Sequence, residues 1–455
     1  MTRLSSRSVA ACAALLAFIT CEVGSASAQG SNFPPPKFVH FNGHEQAQGA
    51  LYMPDPAVYP NPTVAMIAVH RVNNRMHNDG ISPLIDREMP KRGVIVLGLN
   101  THSVNNEAAV DWEGQMPKDL KAAVEYLKKE VGAKTVVLLG GSGGGPNVAF
   151  YQAIAEKGLS VCKGPNKIVE CPDDPGLVGP PADAIVFRDT HPGNPVNRLR
   201  SANPAVLNED DAAELADNLN PFLEKNGYNP KGCSTFSAEF QKRYFEGQSA
   251  RMNKLVDKAL KMKADIAAGK SFPVDDAPFV SHRNGARLVQ LDRSVDGKTD
   301  SPRKLVKDDG SIVTDIVTTV RPCVPKIKED DATYAESIDV TVKSFLGAGA
   351  TRSKHAMNDV DHCSSNNSTI CMVQYITVPT LVLAAQGHYF IHDNEEIFEK
   401  SASRAKDYAV IAGATHGMGN CSRCEGAPYK NARKHFYDYI AKWLNTGYAP
   451  VSTMQ

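Results

Sequence analysis

Gly140-Gly141-Ser142-Gly143-Gly144 is the part of this chain best suited to chemistry. A serine that attacks a carbonyl must stand on a tight, strained turn, and its neighbours must be small enough for strand and helix to close around it. The apolar, β-branched run Thr135–Leu139 precedes this turn and reads as a buried strand. A helix-forming segment through Val148, Tyr151 and Ile154 follows, so its positive end faces the place where an oxyanion would form. A phosphate-loop reading fails because Pro146-Asn147 stands where a Lys-Ser/Thr pair is needed. A serine hydroxyl needs a base, and histidine titrates near working pH. Gly413-Ala414-Thr415-His416-Gly417 offers His416 on a glycine-flanked loop after a late strand.

The elements that must position these residues alternate. Phe38–Phe41 and Gly49–Met53 read as an antiparallel pair, and Val64–Val69 and Val94–Leu99 as apolar strands. Leu120, Val124, Leu127 and Val131 recur at helical spacing before the serine strand. Ala184–Phe187 is a further strand, ending at Arg188-Asp189. Alternation resumes with the strand Pro379–Ala385, a helix around Asn394–Ser401, the strand Tyr408–Ile411, and a closing helix carrying Phe436, Ile440 and Trp443. Such a pattern implies a mostly parallel sheet with helices on both faces and a crevice beyond the strands' carboxyl ends. Between about 198 and 375 the chain is more polar and richer in helix signals. Phe240, Tyr244, Met252, Leu255, Met262 and Ile266 mark a long helix or helix pair ending at Gly269. We read that segment as an inserted, mainly helical cap.

The order strand, G-x-S-x-G, helix, strand, insertion, strand, helix, strand, G-A-T-H-G, terminal helix resembles the α/β-hydrolase superfamily. The likeness covers essentially the whole chain after residue 28 except the cap. It implies an α/β fold with an oxyanion hole built from the N–H of Gly143 and a second donor at Arg71 or Val72, after Val64–Val69. It also implies a triad in the order nucleophile, acid, histidine, with Ser142 first and His416 last. Family members usually carry an aspartate a few residues beyond the strand that here is Leu381–Ala385, yet His388 stands there. Glu395 is our first choice for the acid. Asp393 is second, because it is well placed to cap a helix. Asp189, at the end of the preceding core strand, is third.

Composition bounds the remainder. Fifty basic and fifty acidic residues balance, so charge gives no argument for nucleic acid or an anionic membrane. Arg3, Arg7, the apolar run Val9–Ile19 and Ala26-Ser27-Ala28 read as a secretory signal, and we expect an exported protein, periplasmic or extracellular. The expected divisions are 1–28 signal, 29–197 core, 198–375 cap and 376–455 core. No stretch in the mature part is apolar enough for an integral membrane segment. Eight of the ten cysteines lie beyond the signal, an even number that suggests disulfides. Spacing hints at Cys162–Cys171, Cys363–Cys371 and Cys421–Cys424, leaving Cys233 with Cys323. No cofactor and no metal is expected, since His388 and His392 lack a known ligand spacing. The functional expectation is a serine hydrolase acting on a small-molecule carboxylic ester through an acyl-enzyme. The alternatives are a non-catalytic binding protein on the same fold, and a peptidase, lactonase or acyltransferase using the same triad.

Overall fold

Both faces of the strand Thr135–Gly141 are apolar, and that dictates its place in the middle of a layered structure. Val136 and Leu138 pack into a core on one side, Val137 and Leu139 into a core on the other. A strand buried on both faces belongs to a sheet covered by helices on each side. The computed structural model describes residues 33–41, 44–69, 87–102, 109–270, 275–285, 287–322 and 337–454. The expected signal segment, Arg71 and Val72 lie outside these.

The central sheet is built from β1 (Lys37–Phe41), β2 (His44–Tyr52), β3 (Val64–Val69), β4 (Ile95–Asn100), β5 (Thr135–Gly141) and β6 (Ala184–Arg188) in the first part of the chain. The intervening helices α1 (Trp112–Lys129) and α2 (Gly144–Lys157) cover one face. There Trp112 stacks on Phe150 at 4.7 Å, and its indole N–H donates to Asn147 Oδ1 at 3.1 Å, so the buried polar atom is satisfied. After β6 comes α3 (Asn194–Ser201).

The segment that follows has its own core. β7 (Val206–Asn208) and β8 (Asp211–Leu215) form a short pair, and α4 (Ala238–Ala267) starts where Ser237 caps the Phe240 N–H. Its Phe240, Tyr244, Met252 and Leu255 are buried against Phe279 of β9 (Pro278–Ser281) and Phe345. The apolar stripe seen in the sequence is therefore packing. Its next strands, β10 (Arg303–Val306) and β11 (Ile312–Asp315), form a hairpin, and β10 runs parallel to a core strand. Val306 and Leu305 point to opposite faces of the central sheet, Val306 buried in one core and Leu305 half-buried against the other. Residues 303–315 are thus part of the central sheet rather than of a cap standing over it. β12 (Ile338–Thr341) pairs with β9 and leads into α5 (Val342–Ala348), and β13 (Arg352–His355) pairs with β14 (Asp359–Asp361).

β15 (Thr380–Ala385), α6 (Ile391–Lys400), β16 (Lys406–Ile411) and α7 (Ala432–Asn445) complete the chain. The strand order is β1-β2-β4-β3-β5-β6-β15-β16-β10-β11, with β4 through β10 in that order parallel. α7 seals the second face with Phe436, Tyr439, Ile440 and Trp443. Full burial of a side chain such as Phe436 or Ile440 contributes roughly 1.5–3 kcal/mol. Among the described residues no helix is long and apolar enough to cross a membrane.

Candidate active site

The end of β5 is shaped by what its glycines must avoid. A Cβ on Gly140 would come within 2.6 Å of Val148 Cγ2 and 2.8 Å of Gly145 Cα, so strand and helix could not approach as they do. Ser142 follows with φ 52°, in the left-handed region that costs a non-glycine residue about 1–2 kcal/mol. Its backbone is tied on both sides. Ser142 N–H donates to Arg188 O at 3.2 Å, and Gly145 N–H donates to Ser142 O at 3.1 Å. Gly143 is the residue that opens α2, a helix of 14 residues. The serine is buried but for a small exposed fraction, 7 %.

Gly141 and Arg188 are register partners across β5 and β6, which puts Asp189 at the strand end beside the serine turn. Asp189 also has a positive φ, 40°, and is fully buried. Its N–H donates to Leu383 O at 2.7 Å, and its Oδ1 accepts the Ala385 N–H at 3.0 Å, so β15 holds both its backbone and its carboxylate. Thr190, the next residue, donates its hydroxyl to Ser142 O at 2.5 Å. Asn394 of α6 grips the same turn, its Oδ1 accepting Thr190 N–H at 3.2 Å and its Nδ2 donating to Thr190 O at 2.9 Å.

His416 arrives from the loop after β16. That loop is closed by Thr415 N–H to Gly419 O, 2.8 Å, and Cys421 N–H to Gly413 O, 2.9 Å. His416 Nδ1 lies 2.6 Å from Asp189 Oδ2. A carboxylate only accepts, so Nδ1 carries the proton and Nε2 is left with a lone pair, the arrangement a general base requires. A second ring shares the same oxygen. His388 Nδ1 is 2.8 Å from Asp189 Oδ2, off the line of a full hydrogen bond, and its ring stacks on that of His416 at 4.2 Å with planes 30° apart. Phe390 meets His416 edge-on at 5.7 Å. Burial pushes the Asp189 carboxyl up, but the two imidazoles outweigh it and hold it well below the ordinary range. Burial brings His388 down to about 4 against the opposing pull of Asp189.

A serine thus stands on a strained strand-to-helix turn in a parallel sheet, followed in the chain by an acid at the end of the adjacent strand and a histidine on a late loop that meets that acid. The chain has the α/β-hydrolase fold. No family model and no curated protein matches the sequence. Solved structures similar to it include the siderophore hydrolase EstB from Aspergillus fumigatus (10% identity, 92% of this chain and 99% of that one, TM-score 0.41). Two others are Est1E from Butyrivibrio proteoclasticus (9%, 91% and 98%, TM-score 0.38) and the proline iminopeptidase from Mycobacterium smegmatis (11%, 91% and 98%, TM-score 0.38). It is the strand order and the Ser142 turn that define the fold.

Within this α/β-hydrolase framework, the first two choices for the acid do not reach His416. Glu395 is buried in α6 and accepts from Asp300 N–H at 2.6 Å, Ser301 N–H at 3.1 Å and Arg303 Nε at 2.6 Å. It fastens the start of β10. Asp393 pairs with Arg200 at 2.7 Å, both buried. The structure brings Asp189 to His416 instead, because β6 lies between β5 and β15 and its end faces the late loop. The partnership of His388 was not anticipated. Its one sequence signal was a histidine in the place where an aspartate was expected.

Asp189 Oδ2 and the two Nδ1 atoms form the one group of metal-type donors among the described residues, all within 4.8 Å of one another. Two ligands on one tetrahedral ion stand about 3.3 Å apart at bond lengths of about 2.0–2.1 Å. The 2.6 Å separation of His416 Nδ1 from Asp189 Oδ2 is that of a hydrogen bond, and the 2.8 Å approach of His388 Nδ1 is also closer than two ligands of one ion stand. Cys162–Cys171, Cys363–Cys371 and Cys421–Cys424 are disulfide-bonded, as spacing indicated. Cys323 lies outside the described residues, and with it the expected bridge to Cys233.

Proposed function

We propose that this protein is an exported serine hydrolase that cleaves a small-molecule carboxylic ester through an acyl-enzyme. The observation that carries the reading is the 2.6 Å contact of His416 Nδ1 with the buried Asp189, at the strand end adjoining the Ser142 turn. No aspartate follows Ala385 within reach, and the contact of Asp189, at the end of the strand adjoining β15, supports placing the acid there.

In this reading Ser142 Oγ forms a bond to the ester carbonyl carbon while its proton passes to His416 Nε2. The carbonyl electron pair moves onto oxygen, where the Gly143 N–H at the positive end of α2 receives it. The tetrahedral species collapses, the alkoxy C–O bond breaks, and the leaving oxygen takes the proton from His416. Water then repeats the sequence on the acyl-enzyme, releasing the acid and restoring Ser142. Asp189 fixes the His416 tautomer and offsets the imidazolium charge. The second oxyanion donor is assigned to the Arg71 or Val72 N–H. Three disulfides support an oxidising compartment and hence export.

Stoichiometric labelling by a fluorophosphonate, abolished in Ser142→Ala and His416→Ala, is the expected result. A well-folded protein that takes no label would overturn the proposal. Recovery of the processed chain in the periplasm or medium tests the export.

A further inference from the structure

We propose that His388 is a positioning residue for His416, sharing the Asp189 carboxylate with it and bracing its ring from one face. The inference rests on reading Ser142, Asp189 and His416 as a triad.

Three contacts carry it. The Nδ1 atoms of both histidines converge on one oxygen, at 2.6 and 2.8 Å. Their rings stack at 4.2 Å, so His416 cannot rotate about its Cβ–Cγ bond without leaving that face. The other oxygen, Asp189 Oδ1, is occupied by Ala385 N–H, so Oδ2 alone serves both rings. A phenyl ring at 388 would supply the stack but no donor, and that difference separates positioning from mere packing.

Every charged or titratable group facing His388 bears on its state. Asp189 comes from the end of β6, His416 from the loop after β16, and Tyr389 from the same loop as His388. Arg321 comes from the stretch after β11, its guanidinium 5.9 Å from the Tyr389 ring. Burial, with the neighbouring His416 ring and the Arg321 charge, keeps His388 neutral, and in the proposed arrangement its one proton sits on Nδ1, 2.8 Å from Asp189 Oδ2. The loop itself is anchored: Thr319 Oγ1 donates to Gln386 O at 2.9 Å, and Arg287 Nη1 donates to the Tyr389 hydroxyl at 2.9 Å. An N–H dipole held 2.8 Å from a carboxylate oxygen offsets part of its negative charge even when it lies off the line of a full hydrogen bond. With His388 in place, Asp189 therefore offers His416 less than a carboxylate serving one ring.

The test is the rate of fluorophosphonate labelling of the purified full chain between pH 5 and 9, for wild type, His388→Phe and His388→Asn. His388→Phe leaves Asp189 wholly to His416, so the acid limb should move up by about half a unit to one unit. Labelling at pH 6 relative to pH 8 then falls about three- to tenfold, while His388→Asn, which restores an N–H donor, returns the limb toward wild type. An unchanged limb in His388→Phe overturns the proposal. Nitrogen-15 spectra of the wild-type histidines decide the matter even where that variant does not fold. Nδ1–H on both rings supports it, and an Nε2–H tautomer of His388 sinks it. If wild type takes no label, the triad reading itself fails and the inference goes with it.

Discussion

Ser142 and Asp189 each stand one residue past a register pair, Gly141 and Arg188, at the ends of adjacent parallel strands, and both have positive φ. The two turns are cross-tied, Ser142 N–H to Arg188 O and Thr190 hydroxyl to Ser142 O. Two strained backbones placed side by side cost on the order of 1–3 kcal/mol each and persist only where their surroundings over-determine them. Here β15 and Asn394 do so.

Asp189→Asn should leave the fold intact and lower serine labelling and ester turnover by about 10³–10⁴. The amide places an N–H against His416 Nδ1 and forces the proton to Nε2, the wrong tautomer for a base. Activity within about tenfold of wild type, with an unaltered circular dichroism spectrum, would remove Asp189 from the triad.

Glu395→Gln and Asp393→Asn should separate stability from catalysis. Each carboxylate is the partner of a largely buried arginine, Arg303 or Arg200. Removing Asp393 leaves the buried Arg200 without its carboxylate and should cost about 3–5 kcal/mol, whereas Arg303 keeps Glu399 and the loss of Glu395 should cost less. Denaturant midpoints should drop while labelling of the folded fraction keeps the wild-type rate. A specific loss of rate in Glu395→Gln without a lower midpoint would restore it as the acid.

Glu113 makes stability pH-dependent. Burial in α1 pushes its carboxyl up to about 7, with Asn366 pulling the other way. Between about pH 4.5 and 7 the folded chain keeps a proton that the unfolded chain has lost, so stability falls as pH rises through that window. The full effect is on the order of 3 kcal/mol. Glu113→Gln should therefore be more stable than wild type at pH 8 and about equal to it at pH 5, by chemical denaturation. Equal differences at both pH values would refute the assignment.

Gly387→Ala should slow catalysis. A Cβ there would lie 2.6 Å from Cys424 Sγ and 2.7 Å from Ala414 O, both on the loop that carries His416 and closed by Cys421–Cys424. Neither neighbour can retreat without moving the histidine, and a displacement of about 1 Å at a catalytic group can cost about 100-fold. The turnover number with a chromogenic ester should fall further than affinity does. Unchanged turnover would mean that the two loops are not coupled.

Local pattern determined most of the architecture. Val64–Val69 is β3 as read, the antiparallel β1–β2 pair forms where expected, and one helix runs through the Phe240 to Ile266 stripe. These elements are legible because burial imposes a period of 2 or 3.6 on residue type along a single segment. The glycines around Ser142 are legible for a related reason, since a turn leaves its steric demand at fixed spacing. The choice among Asp189, Asp393 and Glu395 has no such signature. It depends on which carboxylate the order of strands brings to His416, 227 residues beyond Asp189, and on where Arg200 and Arg303 fold to meet the other two. The same holds for the β10–β11 hairpin, whose sequence is that of any short hairpin and whose place beside β16 is fixed only by the sheet edge waiting there. Spacing along the chain specifies what a residue can do. Only packing between distant strands decides which of several able residues does it.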